Sequence, residues 1–367
     1  MKLSIQRETI LRPLQVVSSV VERRQTLPVL SNVLLNCRNN TLTLTGTDLE
    51  VEMIAKASLD HDADDGETTL PARKVLDICR ALPEGAIISL TINDEKAIIR
   101  SGRSRFTLSC LPASEFPNIE PIASPYEFSI SQSALKDLIE QTQFSMAQQD
   151  VRYYLNGLML EITKNCLKAV ATDGHRLAIS ETQTDIDISE TRQIIIPRKG
   201  VVELARLLED TETEIRIQVG DNHIKVDFPD ISFTSKLIDG KFPDYQQVIP
   251  SSPTKVITCD RHALYQAFAR ASVLSNEKYR GMRIQLSENL LKATVHNPEQ
   301  EEAEEEIEVE YKGEEFEIGF NVSYFIDALA AIKADAVQVH FIDANHSCLL
   351  NGVGDQVSKY VIMPMRL

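Results

Sequence analysis

An acid, an imidazole and a guanidinium fall within four positions at Asp173, His175 and Arg176, in the stretch Thr172-Asp173-Gly174-His175-Arg176-Leu177. Those types at that spacing could act as base, orienter and anion clamp. The sequence offers them no companions: it has no nucleophile elbow, no H-E-x-x-H, no Walker loop and no G-x-G-x-x-G. Asp-Gly is also a favoured hairpin turn, and the related stretch Gly46-Thr47-Asp48-Leu49 has neither His nor Arg. An enzyme using Asp173, His175 and Arg176 is therefore the alternative reading, and strand–turn–strand the simpler one. The turn could still serve binding, if Leu177 and a neighbouring groove receive an apolar peptide.

Two other stretches invite a chemical reading. Gln148-Gln149-Asp150-Val151-Arg152-Tyr153-Tyr154-Leu155 is a polar loop with paired tyrosines. It is either a plain connection with one ring turned inward or a loop that contacts sugars and bases. The C-terminal Tyr360-Val-Ile-Met-Pro-Met-Arg-Leu367 stays apolar to its end, which suits a last strand docked on its own domain more than a frayed tail. Met363 and Met365 beside Pro364 suit an adaptable groove or plain core filling. Cys37, Cys79, Cys110, Cys166, Cys259 and Cys348 form no C-x-x-C pair, so they read as reduced core thiols rather than metal or redox ligands.

The elements that must position these residues come in triplicate. LTLTGTDLE, LKAVATDGHRL and LKATVHNPEQ recur with Asp48, Asp173 and Asn297 spaced by 125 and 124 residues. LPARKVLDICRALPEG from Leu70 answers IPRKGVVELARLLED from Ile196, and IGFNVSYFIDALAAIKAD from Ile318 keeps the apolar spacing. Upstream lie three helical patterns: Ile10, Leu14, Val17, Val21; Leu135, Leu138, Ile139, Met146; and Leu264, Ala267, Phe268, Ala271. The first predicts a helix from Arg7 to Gln25. Alternating runs at 41–44, 215–219 and 337–341 predict strands that follow one another without helices between, hence antiparallel sheets. The expected fold is α+β, with three homologous domains at 1–124, 125–252 and 253–367 and Pro/Ser-rich joins (PIASPY, PSSPTK).

The net charge of −16 argues at first against a nucleic-acid partner, since non-specific DNA binding runs on Lys and Arg. Its location alters that. Glu299 to Glu317 holds eleven glutamates and one lysine, alternating with Ala303, Ile307 and Val309 as a strand would. In copy one, Arg100, Arg103 and Arg105 alternate with apolar Phe106 and Leu108. An acidic strand and a basic strand can add edge to edge between two chains, and such a head-to-tail contact closes a ring or runs on as a filament. The expected helices lean basic: Arg7, Arg12, Arg23 and Arg24 in the first, Arg73, Lys74 and Arg80 in its companion, Arg198, Lys199 and Arg206 in copy two, and Arg261, Arg270, Lys278, Arg280 and Arg283 in copy three. No stretch approaches 18 apolar residues and no signal pattern opens the chain, so neither membrane insertion nor secretion is expected.

TLPVLSNVLL, LTGTDLE, PARKVLDICRALPEG, RSGRSRF, QFSMAQQDVRYYLNG, ATDGHRLA, IPRKGV, FTSKLIDGKFPDY, LSNEKYRG, NPEQEEAEE, IGFNVSY and VIMPMRL together resemble the bacterial DNA polymerase III β subunit, the replicative sliding-clamp family, in its gamma-proteobacterial form. The resemblance spans Met1 to Leu367. It implies three clamp domains per chain and a head-to-tail homodimer, a six-domain ring with helices lining the hole and antiparallel sheets outside. It also implies a non-catalytic protein without cofactor or metal, which encircles duplex DNA in the cytoplasm and tethers the replicative polymerase. Topology then replaces tight gripping by high effective concentration.

Carried over by position, the resemblance puts DNA contacts on Arg24, Arg73, Gln149, Tyr153, Tyr154 and Arg198, with Arg280 and Arg283 as weaker candidates. It puts a partner-peptide pocket on Leu155, Thr172, Gly174, His175, Arg176, Leu177, Pro243, Val248, Asn321, Tyr324, Ser347, Val361, Met363, Pro364, Met365 and Arg366. Motifs rich in Gln, Leu and Phe are the expected occupants, from the polymerase III α subunit, other DNA polymerases, the clamp loader, mismatch-repair proteins and an initiation regulator. Gln247 and Asn345 depart from the family's pocket rim. The dimer contact falls on Lys74, Arg103, Arg105, Phe106 and Leu108 against Val273, Leu274, Glu299, Glu301, Glu302 and Glu304, with Lys96 and Val273 as conservative changes.

Overall fold

Each copy of the repeat folds in the order β-α-β-β-β-β-α-β-β-β. The structure, a computed structural model, describes residues 1–22, 27–60, 63–93, 95–117, 126–188 and 190–366. Copy one comprises β1 (Lys2–Gln6), α1 (Arg7–Ser19), β2 (Asn32–Arg38), β3 (Thr41–Thr47), β4 (Val51–Ser58), β5 (Gly66–Pro71), α2 (Ala72–Ala81), β6 (Ile87–Asn93), β7 (Lys96–Ser101) and β8 (Ser104–Ser109). Copy two comprises β9 (Tyr126–Ser131), α3 (Gln132–Glu140), β10 (Gly157–Thr163), β11 (Cys166–Thr172), β12 (Arg176–Gln183), β13 (Arg192–Pro197), α4 (Arg198–Leu207), β14 (Glu214–Val219), β15 (His223–Asp227) and β16 (Ile231–Lys236). Copy three comprises β17 (Lys255–Asp260), α5 (Arg261–Ser272), β18 (Gly281–Ser287), β19 (Leu290–His296), β20 (Glu302–Glu308), β21 (Phe316–Asn321), α6 (Val322–Ala331), β22 (Ala336–Phe341), β23 (Cys348–Gly352) and β24 (Lys359–Ile362).

Packing divides the chain into two bodies, Met1–Gln132 with Val202–Leu237 and Ser133–Val201 with Ile238–Leu367. The first holds the sheets β1-β6-β7-β8 and β5-β2-β3-β4-β16-β15-β14-β9; the second holds β13-β10-β11-β12-β24-β23-β22-β17 and β20-β19-β18-β21. Each eight-stranded sheet crosses a join between copies by the same pair of strands. The fourth strand of one copy pairs with the eighth strand of the next: β4 pairs with β16, Met53 opposite Phe233, and β12 pairs with β24, Ala178 opposite Tyr360. The C-terminal strand is thus docked on β23 of its own copy, as expected, and also on β12 of copy two.

Period-two burial explains the strands: Leu42 and Leu44 point inward while Thr41, Thr43 and Thr45 do not. The helices cover the sheets with their apolar stripes. Ile10, Leu14 and Val17 of α1 are buried, as are Leu264, Ala267, Phe268 and Ala271 of α5. In the second body Phe268, Phe325 and Phe320 meet edge to face, with ring centres 5.5 and 5.1 Å apart. Each such ring contributes about 2–3 kcal/mol by burial.

Three expectations need correction. The first helix stops at Ser19, not Gln25, and Arg23 and Arg24 lie outside the described residues. In copy two the helix stops at Glu140, and a separate 3₁₀ turn at Gln143–Ser145 stands where its last turn was expected. In copy three α5 ends at Ser272, so Lys278 and Arg280 sit in a loop and Arg283 on β18. The helical cations also have structural work. Arg7 donates to the carbonyls of Cys79 and Arg80 at the end of α2, and Arg261 donates to those of Leu329 and Ala334 at the end of α6. Both satisfy helix C-termini that would otherwise lack donors.

Candidate functional site: a groove at a sheet join and two charged edges

The β11–β12 hairpin carries the suspected catalytic residues, and its loop is a turn built from side chains. Asp173 Oδ1 accepts from the backbone amides of His175 (2.9 Å) and Arg176 (3.0 Å), and the Thr172 hydroxyl donates to the Arg176 carbonyl at 2.6 Å. Gly174 has φ +87°, and a Cβ there would lie 2.9 Å from the Arg152 guanidinium. The matching loop of copy one repeats the pattern: Asp48 Oδ1 accepts from Glu50 and Val51, and Leu49 holds the positive φ. In copy three Asn297 Oδ1 accepts from Glu301. Asp173 therefore does a task common to all three copies, and it meets His175 through the backbone amide.

Arg176 is committed as well. Its guanidinium bonds Asp173 Oδ2 at 3.1 Å, the Phe144 carbonyl at 2.6 Å and Asp327 of α6, and it lies 4.6 Å from the Tyr324 ring centre. It ties the hairpin to α6.

Beside this hairpin the second body has a groove of about 200 Å³. Leu155, Thr172, Gly174, Arg176, Leu177, Pro243, Val248, Val361 and Met363 all line it, so nine of the sixteen pocket candidates converge there. Leu177 and Val361 form its floor as opposed residues of β12 and β24, and the sheet join therefore creates it. Arg152, Tyr154, Asp244 and Tyr245 also line it. No sequence pattern points Arg152, Asp244 or Tyr245 to a pocket, and Tyr154 is among the expected DNA contacts. Burial raises the Tyr245 phenol's pKa, and its hydroxyl donates to Glu161.

The other seven candidates do not line the groove. The Met363 amide donates to the His175 carbonyl, and the Ser347 hydroxyl to that of Val248. Asn321 caps α6 through Ser323, and the Met365 amide donates to Gly319. Tyr324 stacks on Arg176; Pro364 is half-buried and Arg366 exposed. Of the departures, Gln247 donates to Asp244 at 2.8 Å and the Asn345 amide to Asp343 at 2.8 Å.

The charged runs occupy sheet edges. β8 ends one four-stranded sheet of the first body and β20 ends one of the second. Arg105, Phe106 and Leu108 lie on β8, while Arg103 occupies the β7–β8 turn, so the basic run is a hairpin and not one strand. Neither Arg103 nor Arg105 has an ion-pair partner among the described residues, and both are exposed. On β20, Glu304 pairs with Lys292 at 2.7 Å, and Glu305 takes a bidentate bond from Arg270 that lowers its pKa. Val273, just past α5, is 77% exposed.

Family models for the DNA polymerase III β subunit match the chain at 1–120 (N-terminal domain), 129–244 (central domain) and 246–366 (C-terminal domain). The chain belongs to the DNA polymerase III β-subunit family. The Beta sliding clamp of Pseudomonas putida is 53% identical over the full length of both chains. The crystal structure of the Pseudomonas aeruginosa β subunit is 52% identical, matches all of both chains and superposes with a TM-score of 0.98. A second structure of that clamp, bound to griselimycin, has a TM-score of 0.97 at 52% identity and full coverage. As a member of this family the chain is a DNA sliding clamp, a processivity factor with no catalytic role.

For a sliding clamp, the residues expected at DNA divide sharply. Arg73 projects from α2, exposed and with no ion-pair partner among the described residues, as does Lys74 of the expected dimer contact. Tyr153 is 57% exposed, and Gln149 lies in the same loop with φ +56°. That loop is held by Arg152, which keeps the Asp150 carboxyl at about 2, and by two bonds between Asp150 backbone atoms and the Asn156 side chain. Tyr154 instead lines the groove and packs on the Leu177–Val361 cluster. Arg198 is half-buried and donates to the Met146 carbonyl. Arg280 donates to Ser272 and Ser275, and Arg283 pairs with Glu317 at 3.5 Å. Arg24 lies outside the described residues. All six cysteines are free thiols, and no helix among the described residues is long and apolar enough to cross a membrane.

Proposed function

We propose that two copies of this chain pair head to tail through β8 and β20 to form a six-domain ring around duplex DNA, with clamp domains at 1–124, 125–252 and 253–367. One observation carries the reading. At each internal join the last strand of the sheet's outer half pairs with the final strand of the next copy, β4 with β16 and β12 with β24, which leaves β20 and β8 as the two unused members of the series. Extending the internal registers sets Ala303 opposite Phe106 of a second copy, since Met53 faces Phe233 and Ala178 faces Tyr360. Glu304 then faces Arg105. Lys74, Arg103, Leu108, Val273, Leu274, Glu299, Glu301 and Glu302 flank that pairing. Opposite charges across strands favour it, and the closed series removes both exposed edges.

The ring threads DNA past Arg24, Arg73, Gln149, Tyr153 and Arg198, with minor parts for Arg280 and Arg283, while Tyr154 serves as a wall of the groove. The groove over Leu177 and Val361 takes short apolar motifs of the replicative polymerase, the clamp loader and other DNA-processing proteins in the cytoplasm, with the rest of the sixteen candidates as its margin. A floor of opposed Leu and Val with a tyrosine wall supports that reading.

The test is a charge swap read by sedimentation equilibrium. Wild-type protein should have twice the 41.1 kDa chain mass. Arg105→Glu should weaken the dimer at least about tenfold, and adding Glu304→Arg should restore part of it. A dimer unaffected by Arg105→Glu would overturn the β8–β20 pairing.

A further inference from the structure

On the other side of the 3₁₀ turn Tyr245–Val248 lies a second depression, of about 360 Å³. Its floor is Ile179, Ile249 and Val357, and its rim is Lys168, Glu181 and Lys359. Tyr245 lines both hollows. The geometry makes the second a continuation of the first. Ile179 is two residues beyond Leu177 on β12, hence on the same sheet face, and its partner on β24 is Lys359 as that of Leu177 is Val361. The wall between them is anchored: the Tyr245 hydroxyl donates to Glu161 at 3.2 Å, and Lys168 pairs with Glu161 (3.7 Å) and Glu181 (3.2 Å).

Two features of this hollow are unused by the fold. Val357, part of the apolar floor, is 47% exposed. Lys168 is neutralised by its glutamates, whereas Lys359 is exposed with no ion-pair partner among the described residues. The local surface therefore offers one apolar seat and one free cation, a short step from the groove.

We propose that this depression binds the continuation of the same partner peptide that occupies the groove, seating one apolar side chain on Ile179, Ile249 and Val357 and one carboxylate against Lys359. The inference rests on the peptide-groove reading. It would let partners that share a core motif differ in affinity through the residues flanking it. Two linking residues span about 7 Å when extended, comparable to the two-residue step along β12 from Leu177 to Ile179.

Fluorescence anisotropy on the intact protein tests it. The probes are the labelled peptide Gln-Leu-Ser-Leu-Phe and the same sequence prolonged by Gly-Ser-Leu-Glu at its C-terminus or by Glu-Leu-Ser-Gly at its N-terminus. One prolonged peptide should bind about tenfold tighter than the core, the worth of one buried leucine. Val357→Asp and Lys359→Glu should each remove most of that gain and leave the core peptide's affinity unchanged. Binding of the core with no gain from either prolongation would overturn the inference and leave the groove standing. Failure of the core peptide to bind would overturn both. A changed oligomeric mass for Val357→Asp would assign the hollow to contact between copies, and would equally overturn it.

Discussion

Arg176 bonds three oxygens on three separate segments, Asp173 in the hairpin turn, the Phe144 carbonyl and Asp327 on α6, so its role is to fix the groove's edge. Arg176→Ala leaves those acceptors unpaired and should cost about 2 kcal/mol in urea unfolding. It should also weaken core-peptide binding, while Arg176→Lys, which lacks the planar fork, should restore little of either. The thiols give a second check at this scale. Burial raises the pKa of Cys79 to about 11 and of Cys259 to about 12, and drives Cys348 higher still. A raised pKa means fewer thiolates at any working pH, so iodoacetamide at pH 8 should spare these three in the native protein and modify half-buried Cys166 first. Preferential labelling of Cys348 would contradict the packing. The sequence could be read for the turn, because Asp-Gly after a strand has a local cause. It could not be read for Tyr245 or Arg152, whose place in the groove depends on a strand pairing between residues more than 180 positions apart.

Among the elements, α1 lies so close to β3 that a Cβ on Gly46 would fall 2.2 Å from the Val17 carbonyl oxygen. Gly46→Ala should therefore force the helix away and destabilise the first body by roughly 1–3 kcal/mol, measurable as a lowered Tm. In copy two Ala171 stands at the matching place, and there the last helical turn is replaced by the 3₁₀ turn Gln143–Ser145. The repeat itself was legible because its phrases recur at fixed spacing, and the order of ten elements follows it in every copy. Helix ends were less legible. Apolar periodicity continues through Val21 and Met146, which are buried outside the helices, so pattern alone overruns the hydrogen-bonded segment. The tendency of helices to carry cations was real in the sequence but overstated as a binding surface. Arg7 and Arg261 serve helix ends, and Arg270 serves Glu305.

For the whole molecule, the charge of −16 counts against tight DNA binding. Most of it lies on and around β20, where Glu302, Glu304, Glu306 and Glu308 are exposed. A ring that holds by closure needs few phosphate contacts, and each one it lacks lowers the friction of sliding. Retention should accordingly depend on DNA topology and little on salt. The measurement is to load the protein onto a nicked circular plasmid, cut half of the sample once with a restriction enzyme, and compare the protein that remains bound. The linear DNA should lose it while the circle keeps it at salt concentrations that strip electrostatic binders; equal retention on both forms would contradict encirclement.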